Sequence, residues 1–153
     1  MDTVNLFVME SLSTSGIHDE LPKKLILAKQ NLVLGGNMPY SLSELATLSN
    51  EKIDALVTQT KPGVYALDKT TSGPFKVSYV GRSDTDLNDR LKKWVGKYSY
   101  FKFQYATSPK DAFEKECELW HDFGGSEGRL DNEQHPERPN GSGWKCPKCN
   151  IFE

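Results

Sequence analysis

Glu116 is the residue in this 153-residue chain whose setting is hardest to explain as ordinary surface chemistry. On a helical wheel at ~100° per residue with Ala112 at zero, Leu119 falls near about −20°, Phe123 near about 20°, Trp120 near about 80° and Phe113 near about 100°. Glu116 falls among them, at about 40°, whereas Glu114, Lys115, Glu118 and Asp122 share the opposite arc. A carboxylate turned toward apolar neighbours is paired, protonated or bound to a metal, because burying it bare costs several kcal/mol or more. The plainer readings are a glutamate at a helix edge or a buried ion pair. Arg90 offers a cation on another helix, about 60° from Leu87 and so on the flank of an apolar stripe. Its planar fork suits a phosphate or a carboxylate, although edge arginines also commonly snorkel to solvent.

A second constellation carries metal chemistry. Cys146-Pro147-Lys148-Cys149 is a C-x-x-C knuckle, half of a tetrahedral zinc site, and it demands two further ligands. Cys117 and His121 stand one helical turn apart, at about 140° and 180° on the same wheel, facing a common point. The preferred set is therefore Cys117, His121, Cys146 and Cys149, with His135 as the alternative ligand, and the ion is Zn2+ in a structural role. A redox-active pair is disfavoured because the knuckle lacks the strand-then-helix setting that lowers a thiol pKa. Three cysteines, two of them in a knuckle, point to metal ligation and a reducing, cytoplasmic setting rather than a secreted disulfide framework.

Charge is distributed unevenly behind a formal net charge of −2. Residues 63–110 hold 9 basic and 4 acidic side chains, giving +5, whereas residues 111–153 hold 5 basic and 10 acidic, giving −5. A local basic surface binds phosphates whatever the total. Charged residues at 26% and aromatics at 10% lie near globular values, which argues against wholesale disorder, collagen-like or coiled-coil architecture. No run approaches the ~18 apolar residues of a membrane span, and Val4 to Met9 follows Asp2 rather than a basic leader, so no membrane partner is expected.

The elements that must position these residues follow from local signals. Residues 1–61 read as an N-terminal helical arm: Leu21 to Leu34 ends in Gly35-Gly36, and the serines of Tyr40-Ser41-Leu42-Ser43-Glu44 offer a cap for a helix running through Val57. Lys61-Pro62-Gly63 then breaks the rhythm. Gly63 to Lys69 and Phe75 to Arg82 read as strands of a hairpin, and Thr85 opens an amphipathic helix closed by Gly96. In a third strand from Tyr98 to Thr107, Ser99, Phe101, Phe103 and Tyr105 share one side, and Lys102 and Gln104 the other. Ser108-Pro109-Lys110-Asp111 caps a second helix reaching about Phe123. The expected organisation is an arm (1–61), a core (62–134) and a Cys-x-x-Cys tail (135–153) pinned to the core helix.

Gly63-Val64-Tyr65, Tyr79-Val80-Gly81, then Arg90, Glu116 and Asn132 together resemble the GIY-YIG nuclease superfamily in motif and order. The resemblance covers Gly63 to Asn132. Each triplet alone is a weak signal; five elements in order, with the independently odd Glu116 on the family's metal-binding carboxylate, form a strong one. It implies an α/β (α+β) fold with a three-stranded antiparallel sheet flanked by helices, hydrolysing phosphodiester bonds with one divalent metal, Mg2+ or Mn2+. Tyr65 and Tyr79 would border the scissile phosphate, Arg90 would neutralise it, Glu116 would hold the metal and Asn132 would steady the site. Where many members carry a histidine one turn after the helix arginine, this chain has Trp94, which leaves the general base open.

Arg82, Lys92, Lys93, Lys97 and Lys102 would form a phosphate track, with Tyr98, Tyr100 and Phe101 interleaved to stack on bases. The substrate implied is DNA, although phosphate-binding residues do not separate deoxyribose from ribose, so RNA stays open. Double-strand cutting from a single site would require a homodimer or two nicks. Two rival readings stand beside this one: an inactive nucleic-acid-binding module of the same fold, and a zinc-organised protein-interaction adaptor.

Overall fold

Gly63–Asp68, here β2, is a run of six residues all withdrawn from solvent, as a central strand covered on both faces must be. In the computed structural model, which describes residues 41–153, it pairs antiparallel with β3 (Tyr79–Ser83) on one side and β4 (Tyr100–Tyr105) on the other. The sheet has four strands, not the expected three: Ala46–Thr47, here β1, adds to the outer edge of β4, giving the order β1-β4-β2-β3. The expected helix over Leu21–Leu34 lies outside the described residues.

The extra strand corrects the reading of a helix starting at the serines near Ser41. Ser43 N–H donates to Phe103 O at 2.8 Å and Leu48 N–H to Ser99 O at 2.9 Å, so this stretch satisfies the otherwise bare edge of β4. The stretch leaves Leu45 exposed and buries Leu48. Helix α1 (Asn50–Leu56) begins only after Ser49, whose hydroxyl accepts from Lys52 N at 3.3 Å. Residues 46–57 thus belong to the packed sheet and its cover.

Two further boundaries shift for local reasons. The buried Asp68 carboxylate accepts from Thr70 N at 2.7 Å, Thr70 Oγ1 at 2.9 Å and Lys76 N at 2.8 Å, which curls residues 69–77 into a loop and delays β3 to Tyr79. Asp86, rather than Thr85, caps α2 (Leu87–Lys92), accepting from Asn88 N at 3.0 Å and Asp89 N at 3.3 Å. Helix α3 (Pro109–Asp122) matches its signals, with Ser108 as cap, proline in its first turn and Gly124 at φ 80° beyond its end.

Alternation sorts the sheet into two faces. Tyr65, Leu67 and Phe101 pack with Leu48, Ile53 and Val57 from the N-terminal segment and with Leu87 and Leu91 of α2. By register, Val64, Val80 and Arg82 point to the other face, where α3 lies. Full burial of each such aliphatic or aromatic side chain contributes roughly 1.5–3 kcal/mol, so both helices are held firmly against the strands. No helix among the described residues is long and apolar enough to cross a membrane.

Candidate functional site

The two motif glycines are dictated by packing. A Cβ on Gly81 would run into the Tyr65 ring, and one on Gly63 would meet Gln104 O at 2.6 Å and Leu87 Cδ2 at 2.7 Å. Tyr65 lies across Gly81 on the α2 face, completely buried, and Tyr79 stacks beside it at 6.4 Å between ring centroids. Trp94 packs on Tyr79 at 4.5 Å and donates its Nε1–H to the Tyr65 hydroxyl at 2.8 Å. Burial pushes the Tyr65 phenol up to about 12, against the pull of Trp94 and Arg90.

The strand β3 has a free edge, and the site wraps around it. A cleft of about 510 Å3 is lined from the α2 face by Tyr79, Arg90 and Lys93 and from the α3 face by Arg82 and Glu116, with Asn132 and residues 134–137 forming its far wall. Tyr79 therefore reaches the cleft and Tyr65 stands behind it. Burial and the nearby Glu116 charge push the Tyr79 phenol above its ordinary value while Arg90 pulls it down.

Glu116 is buried, as the helical wheel indicates, and its direct partner is Arg82, not Arg90. Arg82 Nη1 donates to Glu116 Oε2, Nε to Asp84 Oδ1 at 2.8 Å and Nη2 to the Glu137 carbonyl at 2.9 Å, and its guanidinium lies over the Phe113 ring at 5.2 Å. Three of its donors and one face are engaged within the protein, which makes Arg82 a clamp on Glu116 in the lining of the cleft. Burial nonetheless holds the Glu116 carboxyl above its usual range even with Arg82 beside it. Arg90, which lies beside the Tyr65 hydroxyl, makes no ion pair among the described residues.

The acids on the rim already have partners: Asp84 in Arg82, Asp86 in the α2 N-terminus, and Asp89 in Lys93 at 3.5 Å. Asn132 holds the edge strand, its Nδ2 donating to Val80 O at 3.0 Å, while its own carbonyl accepts from Trp120 Nε1 at 2.9 Å.

The remaining basic residues do not form one track. Lys93 and Lys97 lie with Arg90 and Trp94 around a small hollow, and Lys97 sits over the Trp94 ring at 5.4 Å. Lys92 pairs with Asp54 at 2.6 Å, and Lys102 lies on the opposite face of the sheet, over Phe75 at 5.3 Å. Phe101 is fully buried and so not placed to stack on a base, while Tyr98 donates to Asp131 at 3.0 Å and packs its ring on Tyr79 and Trp94.

The cysteine-rich tail closes on α3 with a different ligand set from the preferred one. His121, His135, Cys146 and Cys149 bring four donor atoms within 4.8 Å of one another, a His2Cys2 cluster able to bind a metal such as zinc. His135 takes the place expected for Cys117, whose thiol is buried with Phe113 and Cys146 in the apolar cluster behind the donors, burial pushing its pKa well up. His121 Nε2 is buried without a hydrogen-bond partner among the described residues.

Strand alternation, which puts Arg82 opposite the tyrosine face, is the sequence signal for the Arg82–Glu116 pair; nothing periodic marks the path that brings Glu137 to Arg82. Comparison of the chain with protein-family models, curated proteins and solved structures returns no match.

Proposed function

We propose that the cleft at the free edge of β3 is the active site of a GIY-YIG-like endonuclease hydrolysing phosphodiester bonds in DNA. The observation that carries the reading is the meeting, around one strand edge, of a carboxylate from α3, a phenol from β3 and an arginine from α2 that has no acidic partner among the described residues. Phosphoryl chemistry needs a fixed cation facing the equatorial oxygens, a positioned water and neutralisation of developing charge. Arg90 is suited to the first, since no carboxylate among the described residues competes for its fork.

The Glu116 carboxylate fits a divalent ion such as Mg2+ or Mn2+: it lines the cleft and, with Arg82 already in place, burial still leaves it short of positive charge. When bound there, such an ion would supply charge stabilisation and a water of lowered pKa. Arg82 holds the carboxylate in place. Tyr79, protonated near neutrality, donates its O–H toward the phosphate or the attacking water. Tyr65 and Trp94 form the rigid backing of Tyr79, and Asn132 keeps the strand edge from pairing elsewhere. The His2Cys2 cluster takes a structural zinc ion that holds the tail on α3.

The test is a cleavage assay on duplex, branched and single-stranded DNA, titrated with Mg2+ and Mn2+, using the wild type and Glu116→Gln. Metal-dependent cutting lost by the folded variant supports the reading; undiminished cutting by that variant overturns the assignment of the metal ligand. A specific observation favours a second reading, a nucleic-acid-binding module without turnover. Trp94 stands where a titrating histidine would be, and burial keeps the Tyr65 behind it a protonated phenol. DNA retention without cleavage in every divalent metal would favour it.

A further inference from the structure

We infer that zinc at the His121, His135, Cys146 and Cys149 cluster builds the far wall of the cleft, so that metal occupancy of the tail sets the order of residues 132–138. The metal assignment stands on the cluster itself, whereas its consequence for substrate rests on the function proposed above.

Three features of the cluster fit zinc. With Zn–S near ~2.3 Å and Zn–N near ~2.05 Å at tetrahedral angles, sulfur and nitrogen ligands should stand about 3.5 Å apart. Cys149 Sγ and His135 Nε2 stand at 3.4 Å. Next, His135 Nδ1 faces the Pro136 carbonyl at 2.9 Å, and a carbonyl can only accept, so the proton sits on Nδ1 and Nε2 presents its lone pair to the cluster. Finally, the Cys146 sulfur receives a backbone N–H from two residues further on, Lys148 N at 3.4 Å. That is the support a thiolate needs. Two thiolates and two neutral imidazoles also balance a dication, and four protein ligands leave no open position for catalysis, which makes the ion structural.

The coupling follows from chain connectivity. His135 is a ligand and lines the cleft, and Pro136 and Glu137 follow it along the cleft wall. Two residues after the ligand, the Glu137 carbonyl accepts from Arg82, which in turn holds Glu116. The strap is fastened at its other end by Asn132 to Val80 and to Trp120. Arg138 continues it into the tail, donating to the Trp144 carbonyl at 3.2 Å and lying over the Phe152 ring at 4.9 Å. Releasing the metal unfastens the strap at His135 and leaves Arg82 one acceptor short, while the sheet beneath keeps its own hydrogen bonds.

The experiment uses the full chain. Elemental analysis and Co2+ substitution, read by tetrahedral d–d and thiolate charge-transfer absorption, report the site; hydrogen exchange by mass spectrometry, with zinc present, stripped by a chelator and restored, reports the strap. The expected result is one zinc per chain, exchange at residues 132–138 that accelerates about tenfold or more on stripping and recovers on reloading, and unchanged protection of residues 63–68. His135→Ala should lose the zinc. Cys117→Ala should retain it, which guards against a general loss of fold being mistaken for loss of a ligand.

Folded protein that takes up no stoichiometric zinc, or zinc removal that leaves exchange at 132–138 unchanged, overturns the inference. Zinc-dependent exchange in a protein that neither binds nor cuts a DNA duplex supports the coupling and overturns the reading of the cleft alone.

Discussion

The cleft and the histidine-cysteine cluster share His135, yet they treat their polar groups in opposite ways. In the cleft the charges are largely matched within the protein: Arg82 is surrounded by Asp84, Glu116 and the Glu137 carbonyl, and Lys93 answers Asp89. Arg90 stands out against that background. In the cluster four donors converge and His121 Nε2 is buried without a partner among the described residues. A buried polar group left unsatisfied costs about 1–3 kcal/mol, so the cluster calls for a ligand to complete it, whereas the cleft is already assembled and presents one cation outward. Matched charge is architecture; unmatched charge is where a ligand belongs.

Breaking the matched side should have the largest effect on stability. Glu116→Ala leaves Arg82 buried beside a missing carboxylate and should cost about 3–5 kcal/mol in urea denaturation, with Glu116→Gln losing less. An alanine variant as stable as the wild type would mean the pair is not buried in solution. Gly81→Ala comes next: its methyl must displace the Tyr65 ring, an overpacking penalty of about 1–3 kcal/mol. Trp94→Phe keeps much of the ring contact but removes the donor to the buried Tyr65 oxygen, which should cost about 1–2 kcal/mol; an unchanged midpoint would show that water replaces the indole.

The smallest effect lies at the start of α3. Burial pushes the Asp111 carboxyl up, but the Lys115 ammonium and the Thr107 amide and hydroxyl outweigh it and hold it below its ordinary value. The folded state then binds this proton less readily than the unfolded chain. Its contribution, about 1 kcal/mol or less, is full above the unfolded pKa near ~3.9 and disappears as pH falls through the lower folded value. The stability gap between wild type and Asp111→Asn should therefore be present at neutral pH and close below about pH 4 in thermal melts. A gap that persists there would place the effect in packing rather than charge.

Much of the core was legible because its signals are periodic or local. The apolar wheel of α3 marks Glu116 as buried, Ser108-Pro109 marks where α3 begins, and alternation in β4 separates Phe101 from Lys102. What was not legible depends on chain path. The two residues of β1 carry no alternation of their own and become a strand only because β4 has an edge to fill. Cys117 and His121 share a helix flank in sequence, but the route of residues 124–149 decides that His135 reaches the donors while Cys117 meets Cys146 from behind. Arg82 was visible as a cation but not as a clamp, because two of its acceptors belong to α3 and to a loop of no regular period.

The contrast between the two arginines gives the most direct measurement: Mg2+-dependent cleavage of a DNA duplex by Arg90→Ala, with circular dichroism and urea denaturation run on the same preparation. The expected result is a variant that folds with wild-type stability, within about 0.5 kcal/mol, and has lost cleavage by about a hundredfold or more, since the proposed reading sets Arg90, which has no acidic partner among the described residues, against the phosphate. Cleavage at the wild-type rate by that folded variant would contradict the placement of the phosphate beside Arg90.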